Sequence, residues 1–323
     1  MAAGRKKRRR RNYKKRLLIC FLAQILALTA FGCALGWNRG VSSFAAELAG
    51  KFSSPVITEL DLSGIRSTYA VLMDERSGKV ISEVQGEERM YPASMTKIMT
   101  AIVAIEALPG LQKQITLSGD DIDQLYMQDA TQAGFLLGEK VTALDLLYGV
   151  MLPSGAECCL ALAQDISGSE EKFVEEMNEK ARKLGMDGTH FCDCTGLHDP
   201  DHYSTARDIA VLMRYAVHNP VFRKIAEAAS HTSQETNLHP DGITYYSSMF
   251  KKIADSSVKG GEILGGKTGY TDVAGHCLAS FARIGEREYI LVTAGAYSED
   301  DPIPHIEDAY TIYNRLGEAV DRK

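Results

Sequence analysis

The sequence predicts an α/β (α+β) arrangement: one antiparallel sheet flanked by helices, with an all-helical region inserted between its strands. Three observations carry that expectation. Strand-like segments stand near both ends of residues 66–323, Tyr69–Ser82 and Leu264–Ala294; the stretch between them runs mostly in helical periods; and a last helical pattern, with Ile306, Ala309, Tyr310, Tyr313 and Leu316 at helical spacing, follows the final strand. Strands from the two ends of a chain can share one sheet when helices bridge them, and one core still suits the roughly 255 residues involved.

The N-terminal elements come first. Residues 1–16 hold ten Lys or Arg and no acid, and Leu17 to Trp37 is a 21-residue uncharged run. A run of that length is enough to span a bilayer as a helix, and the flanking basic cluster predicts a cytoplasmic N-terminus with everything after Trp37 exported. The expected order is therefore a basic tail at 1–16, a signal-anchor at 17–37, a linker at 38–65 and one globular domain at 66–323. Retention of the span is favoured because its length exceeds the core of a signal peptide, although Ser43-Phe44-Ala45 offers small residues of the cleavage type. Cys33 is a poor match to a lipidation site. Without the tail, 26 Lys and Arg face 42 Asp and Glu, a formal charge of −16. So acidic a domain is a poor nucleic-acid binder and needs its tether to stay at a membrane.

Within the domain, Tyr69–Met73 and Val80–Ser82 flank Glu75-Arg76-Ser77-Gly78 as a hairpin. Pro92 then precedes Ser94, and the apolar run from Ile98 to Leu108, stopped by Pro109-Gly110, reads as one buried helix with Ser94 in its first turn. Residues three apart share a helix face, so Lys97 can reach the Ser94 hydroxyl. An ammonium is costly in so apolar a helix, which suits a lysine that must accept a proton. The helix start also favours a developing negative charge at Ser94.

Ser154-Gly155 follows as a second short motif. The third, Gly265-Gly266-Lys267-Thr268-Gly269-Tyr270-Thr271, has glycines that allow close approach of a ligand backbone, and with Cys277–Ala282, the turn 283–287 and Tyr289–Ala294 it reads as an antiparallel hairpin. A strand edge bearing Lys267 and Thr268 can take an extended peptide by strand addition while the cation holds a terminal carboxylate. Each motif alone is weak: Ser-x-x-Lys is a common tetrapeptide, and Lys-Thr-Gly is by itself an ordinary strand end.

Together, and in this order, the motifs make the chain similar to the low-molecular-weight penicillin-binding DD-peptidases, the serine-type D-Ala-D-Ala carboxypeptidases. The resemblance runs from about Ser67 to Leu316. It also rests on Tyr91-Pro92-Ala93, Thr189-His190-Phe191, Thr195-Gly196-Leu197 and His202-Tyr203-Ser204-Thr205-Ala206. It implies the β-lactamase/DD-peptidase transpeptidase-like fold, and a chain without the further β-rich C-terminal domain that many members carry. For the site it implies Ser94 as nucleophile, Lys97 as its base and Ser154 as proton relay to the leaving amine. Lys267, Thr268, Gly269 and Tyr270 would bind substrate, with the Tyr270 and Ser94 amides facing the oxyanion. It implies no cofactor or metal, peptidoglycan stem peptides ending in D-Ala-D-Ala as substrate, and β-lactams as covalent inhibitors.

One position departs from the family: its middle motif is Ser-x-Asn, and Ala156 stands where the asparagine belongs. The relay hydroxyl survives, since it both donates and accepts; the orienting amide does not. Glu157 is expected to be an exposed glutamate at a helix start. The departure keeps a second reading open, a non-catalytic envelope protein that binds peptidoglycan stems. A β-lactamase is a weaker third, because the Glu-x-x-Leu-Asn segment of the class A enzymes is missing. His190, Cys192, Cys194 and His198 could suggest a metal, but zinc sites favour Cys-x2-Cys spacing. Export permits disulfides, with 158/159 and 192/194 as candidate partners if their segments meet. Cys277 reads as a small core residue, and His202, Tyr203 and His276 as buried, hydrogen-bonded structural groups.

Overall fold

The structure, a computed structural model, describes residues 57–119, 130–253, 255–298 and 300–322. The basic tail, the apolar span and the linker as far as residue 56 lie outside the described residues. Among those described, no helix is long and apolar enough to cross a membrane.

The sheet forms as the sequence predicts, from both ends of the domain. β1 (Tyr69–Asp74) and β2 (Val80–Val84) make the N-terminal hairpin, while β10 (Gly261–Thr271), β11 (Gly275–Ile284) and β12 (Arg287–Ala296) return after the helices. With the short β9 (Ser257–Val258) the order is β2-β1-β12-β11-β10-β9. The first strand therefore pairs with the last, antiparallel, from Tyr69 opposite Ala294 to Asp74 opposite Tyr289. Alternate residues of β1 enter different cores: Val71 and Met73 face the helical region, Ala70 and Leu72 the C-terminal helix. This is the period-two burial that both covered faces of a sheet require.

On one face lies α7 (Pro304–Asp321), inserting Ile306, Ala309, Tyr313 and Leu316 as expected. Residues 57–65, the last part of the expected linker, lie on the same side, where Ile57 and Leu62 are buried in that core.

The other face carries the helical region. A 3-10 turn, Ala93–Thr96, leads into α1 (Lys97–Ala107), so Ser94 sits in a tighter turn just ahead of the α-helix instead of within it. Every residue of α1 from Lys97 to Ala104 is buried, as befits a helix that is apolar all round. Around it stand α2 (Ala143–Met151), α3 (Ala156–Ser167), α4 (Glu170–Lys183), α5 (Ala206–Val217) and α6 (Pro220–Ala226). Their starts are written locally: Thr142, Ser169, Thr205 and Asn219 each accept a backbone N–H of the following turn. Three two-stranded ribbons complete the fold: β3 (Arg89–Met90) with β6 (Ser204–Thr205), β4 (Gln114–Thr116) with β5 (Lys140–Thr142), and β7 (Ser230–Thr232) with β8 (Thr244–Tyr246).

The five cysteines outside the apolar span are free thiols, so neither pairing considered above is made. Cys277 is fully buried in the core. Glu157 departs from expectation. It is in the first turn of α3, but it is 0% exposed. Its Oε1 accepts the backbone N–H groups of Ala133 at 2.7 Å, Gly134 at 2.8 Å and Phe135 at 3.3 Å. Three donors converging on one oxygen let a carboxylate remain inside.

Candidate active site

All three motifs meet where the start of α1, the turn before α3 and the strand β10 converge. Lys97 Nζ donates to Ser94 Oγ at 3.1 Å, the contact that residues three apart on a helical turn allow. The same nitrogen donates to the carbonyl of Thr195 at 2.5 Å, from the loop before β6. Lys97 is 3% exposed, whereas Ser94 is only half-buried and so open to an incoming group.

Ser154, at the turn before α3, accepts a hydrogen bond from Lys267 Nζ at 3.0 Å. That ammonium also donates to its neighbour's carbonyl, Thr268 O, at 2.7 Å. Burial, and then the nearby Lys97 charge, hold Lys267 well below the ordinary lysine range. A bound carboxylate would relieve that penalty by supplying the missing counter-charge.

Among the described residues, two of the three non-glycine residues with positive φ are at this site, Ala93 at +46° and Ser154 at +74°. Such backbone is uphill for residues with a Cβ and persists only where the surroundings enforce it. Here the enforcement is visible. A Cβ on Gly269 would lie 3.0 Å from Ser94 N, and one on Gly196, whose φ is +83°, would lie 2.0 Å from Ala93 O. Both segments press on the Ser94 turn because they lack side chains there. Gly269 is thus placed beside Ser94, and Tyr270 follows it with an exposed ring tilted against His276.

β9 pairs with β10 only at Gly261 and Glu262, so among the described residues no strand covers the β10 edge from Leu264 to Thr271. That edge is free to accept an extended chain.

Several site groups escaped the sequence reading. Ser248 Oγ lies 2.6 Å from Thr268 Oγ1, making a hydroxyl pair beside Lys267; a lone serine between two weak strands gives no signal. His202 and Asp193 brace the Thr195 loop, and His202 is buried and hydrogen-bonded as expected. His276, expected to be hydrogen-bonded, leaves its Nδ1 without a partner among the described residues. At the departed position, Ala156 is 1% exposed and its N–H bonds Thr131 O at 2.8 Å.

A serine in contact with a buried lysine, a second serine held by a second lysine and an open strand edge form a Ser–Lys arrangement that matches the motifs of the DD-peptidases. The chain belongs to the D-alanyl-D-alanine carboxypeptidase family, peptidase S11, whose profile matches residues 56–298. It is similar to the D-alanyl-D-alanine carboxypeptidase DacF of Bacillus subtilis, with 31% identity over 282 residues, 87% of this chain and 66% of that one. It also resembles DacC of Escherichia coli, with 33% identity over 248 residues, 71% of this chain and 56% of that one. The chain therefore spans just under two thirds of the first relative's length and less of the second. Among solved structures, the Streptomyces K15 DD-transpeptidase superposes with a TM-score of 0.70 at 27% identity, covering 83% of this chain and 99% of that one. A D-alanyl-D-alanine carboxypeptidase from Mycobacterium tuberculosis gives 0.67 at 25% identity, covering 81% of this chain and 92% of that one.

Proposed function

We propose that this chain is a serine-type D-Ala-D-Ala carboxypeptidase that trims peptidoglycan stem peptides and is acylated by β-lactams. The observation that carries the reading is the 3.1 Å contact between Lys97 Nζ and Ser94 Oγ at the start of a buried helix. Lys97 takes the hydroxyl proton as Ser94 attacks the carbonyl carbon of the penultimate D-alanine. The N–H groups of Ser94 and Tyr270 receive the oxyanion, an assignment supported by Gly269 lying against Ser94 N. Lys267 and Thr268, with Ser248 beside them, hold the terminal carboxylate, and its negative charge favours the ammonium form of Lys267. Ser154, held by a hydrogen bond from Lys267 that stays charged, gives its hydroxyl proton to the departing D-alanine amine and is replenished by the proton that Lys97 took from Ser94, which returns Lys97 to its base form. Water then cleaves the acyl-enzyme.

The basic tail and apolar run anchor the protein in the cell membrane, and the domain acts outside it; this reading rests on the sequence. The test is release of D-alanine from a synthetic pentapeptide ending in D-Ala-D-Ala. Saturable binding with the pentapeptide left intact in mass spectra would instead make the chain a peptidoglycan-binding scaffold, the reading that Ala156 keeps in play.

A further inference from the structure

His202 connects both sides of the Ser94–Lys97 pair. Its ring is 2% exposed, with Nε2 at 2.8 Å from the Oγ1 of Thr96, the residue between nucleophile and base, and Nδ1 at 3.0 Å from Asp193 Oδ2. Phe191 packs edge-on against it at 5.6 Å and limits the ring's rotation. The other oxygen of Asp193 gathers three donors: Thr195 N at 2.6 Å, Thr195 Oγ1 at 2.7 Å and Gly196 N at 2.6 Å. That convergence folds the loop so that the Thr195 carbonyl faces Lys97 Nζ at 2.5 Å. Gly196 then lies against Ala93, the strained residue just before the nucleophile.

We propose that His202, acting through Asp193 and Thr96, is a positioning residue that fixes Lys97 against Ser94 for acyl transfer. The proposal rests on the acyl-transfer reading above. An amine on a four-carbon stem has many rotamers, and a base must be aimed to be effective. Among the described residues Lys97 has one acceptor besides Ser94, the Thr195 carbonyl; the Asp193 turn holds that carbonyl in place from one side, while Thr100 and Glu170 hold the neighbouring Cys194. His202 joins this turn to the helix start, so base and nucleophile are located by one continuous network of short bonds. With its proton on Nδ1 the ring donates to Asp193 Oδ2 while Nε2 accepts from Thr96 Oγ1, so this tautomer spans from the turn to the helix start.

The test compares wild type, His202→Ala, His202→Gln and Asp193→Asn in single-turnover acylation by a fluorescent penicillin, resolving the maximal acylation rate from the preceding non-covalent dissociation constant. Amide hydrogen exchange at Thr195 and Gly196 is followed in parallel. The alanine variant is expected to lose about 10- to 100-fold in maximal rate, the scale that ångström-level misplacement brings. Its dissociation constant should stay within about threefold, and exchange at Thr195 and Gly196 should accelerate. Glutamine, which can still donate to Asp193, should recover most of the rate, which a merely space-filling ring would not require. The proposal is overturned if alanine acylates within about threefold of wild type, if glutamine is no better than alanine at equal thermal stability, or if only the dissociation constant moves. If alanine does not fold, the glutamine and Asp193→Asn variants decide by the same measures. A wild type that never acylates refutes the acyl-transfer reading, while unchanged exchange at Thr195 and Gly196 in the variants refutes the positioning role separately.

Discussion

Lys267 donates to the hydroxyl of Ser154 at 3.0 Å, across 113 residues of sequence. The second serine is thus held by the cation of the third motif, while Lys97 is committed to Ser94 and Thr195. Under the proposed function the two lysines divide the work: Lys97 faces the proposed nucleophile, and Lys267 faces the proposed relay and the expected carboxylate. Lys267→Ala should leave Ser154 without its donor and the carboxylate without its charge. Removing a charge-assisted bond of this kind costs ~1.5–3 kcal/mol, so turnover of the pentapeptide should fall at least tenfold. Steady-state assay of D-alanine release checks this, and a variant with unaltered turnover refutes the assignment.

Ser94→Ala should abolish covalent labelling by a fluorescent penicillin while the protein melts as wild type does, because the hydroxyl is half-buried and its loss leaves Lys97 bonded to Thr195. Labelling that survives the substitution identifies another nucleophile. The intact domain should hydrolyse penicillin slowly, and rapid sustained loss of its absorbance would favour a β-lactamase.

Asp193 predicts a loss of stability in acid. Burial raises its pKa, but the hydrogen bond and charge of His202, with the Thr195 donors, outweigh burial and hold it at about 2. A carboxylate depressed in the folded state contributes its stability above the unfolded pKa, and that contribution vanishes as pH falls through the folded value. Wild type should therefore lose stability between about pH 4 and pH 2 more steeply than Asp193→Asn, measured by urea unfolding. Parallel slopes for the two proteins contradict the prediction.

Glu157 has the opposite sign. Burial raises its pKa and the Gly134 and Ala133 amides only partly offset this, while its Oε2 has no hydrogen-bond partner among the described residues. A raised carboxyl pKa means that stability declines as pH climbs through its titration. Glu157→Gln, which keeps an acceptor for the 133–135 amides, should flatten that decline. Glu157→Ala strands those amides and should cost on the order of 2–4 kcal/mol. Thermal melts from pH 4 to 8 test both, and an alanine variant as stable as wild type shows that the loop does not need the carboxylate.

Ala156→Asn restores the family residue in a position that is 1% exposed. Overfilling a closed site should cost ~1–3 kcal/mol of stability. The new amide should nevertheless raise acylation per folded molecule if it reaches either lysine. A lower acylation rate in protein that remains folded means that the turn is built around alanine.

Much of this was legible in local sequence. The Ser94–Lys97 contact follows from three-residue spacing on a helical turn, the β10–β12 segment from strand patterns around a turn, and α7 from its apolar period; each depends on neighbours in the chain, and local geometry fixes them. The family segments supplied the order of the motifs. Tertiary structure alone decided the rest. It chose Lys267 as the partner of Ser154, put Ser248 against Thr268, buried Glu157 under the 133–135 amides, and linked Thr96 to Thr195 through His202 and Asp193. These contacts join segments dozens of residues apart, where no sequence period operates. Whether a serine is strained, a glutamate buried or a histidine bridging depends on which backbones the folded sheet and helices bring within 3 Å of one another.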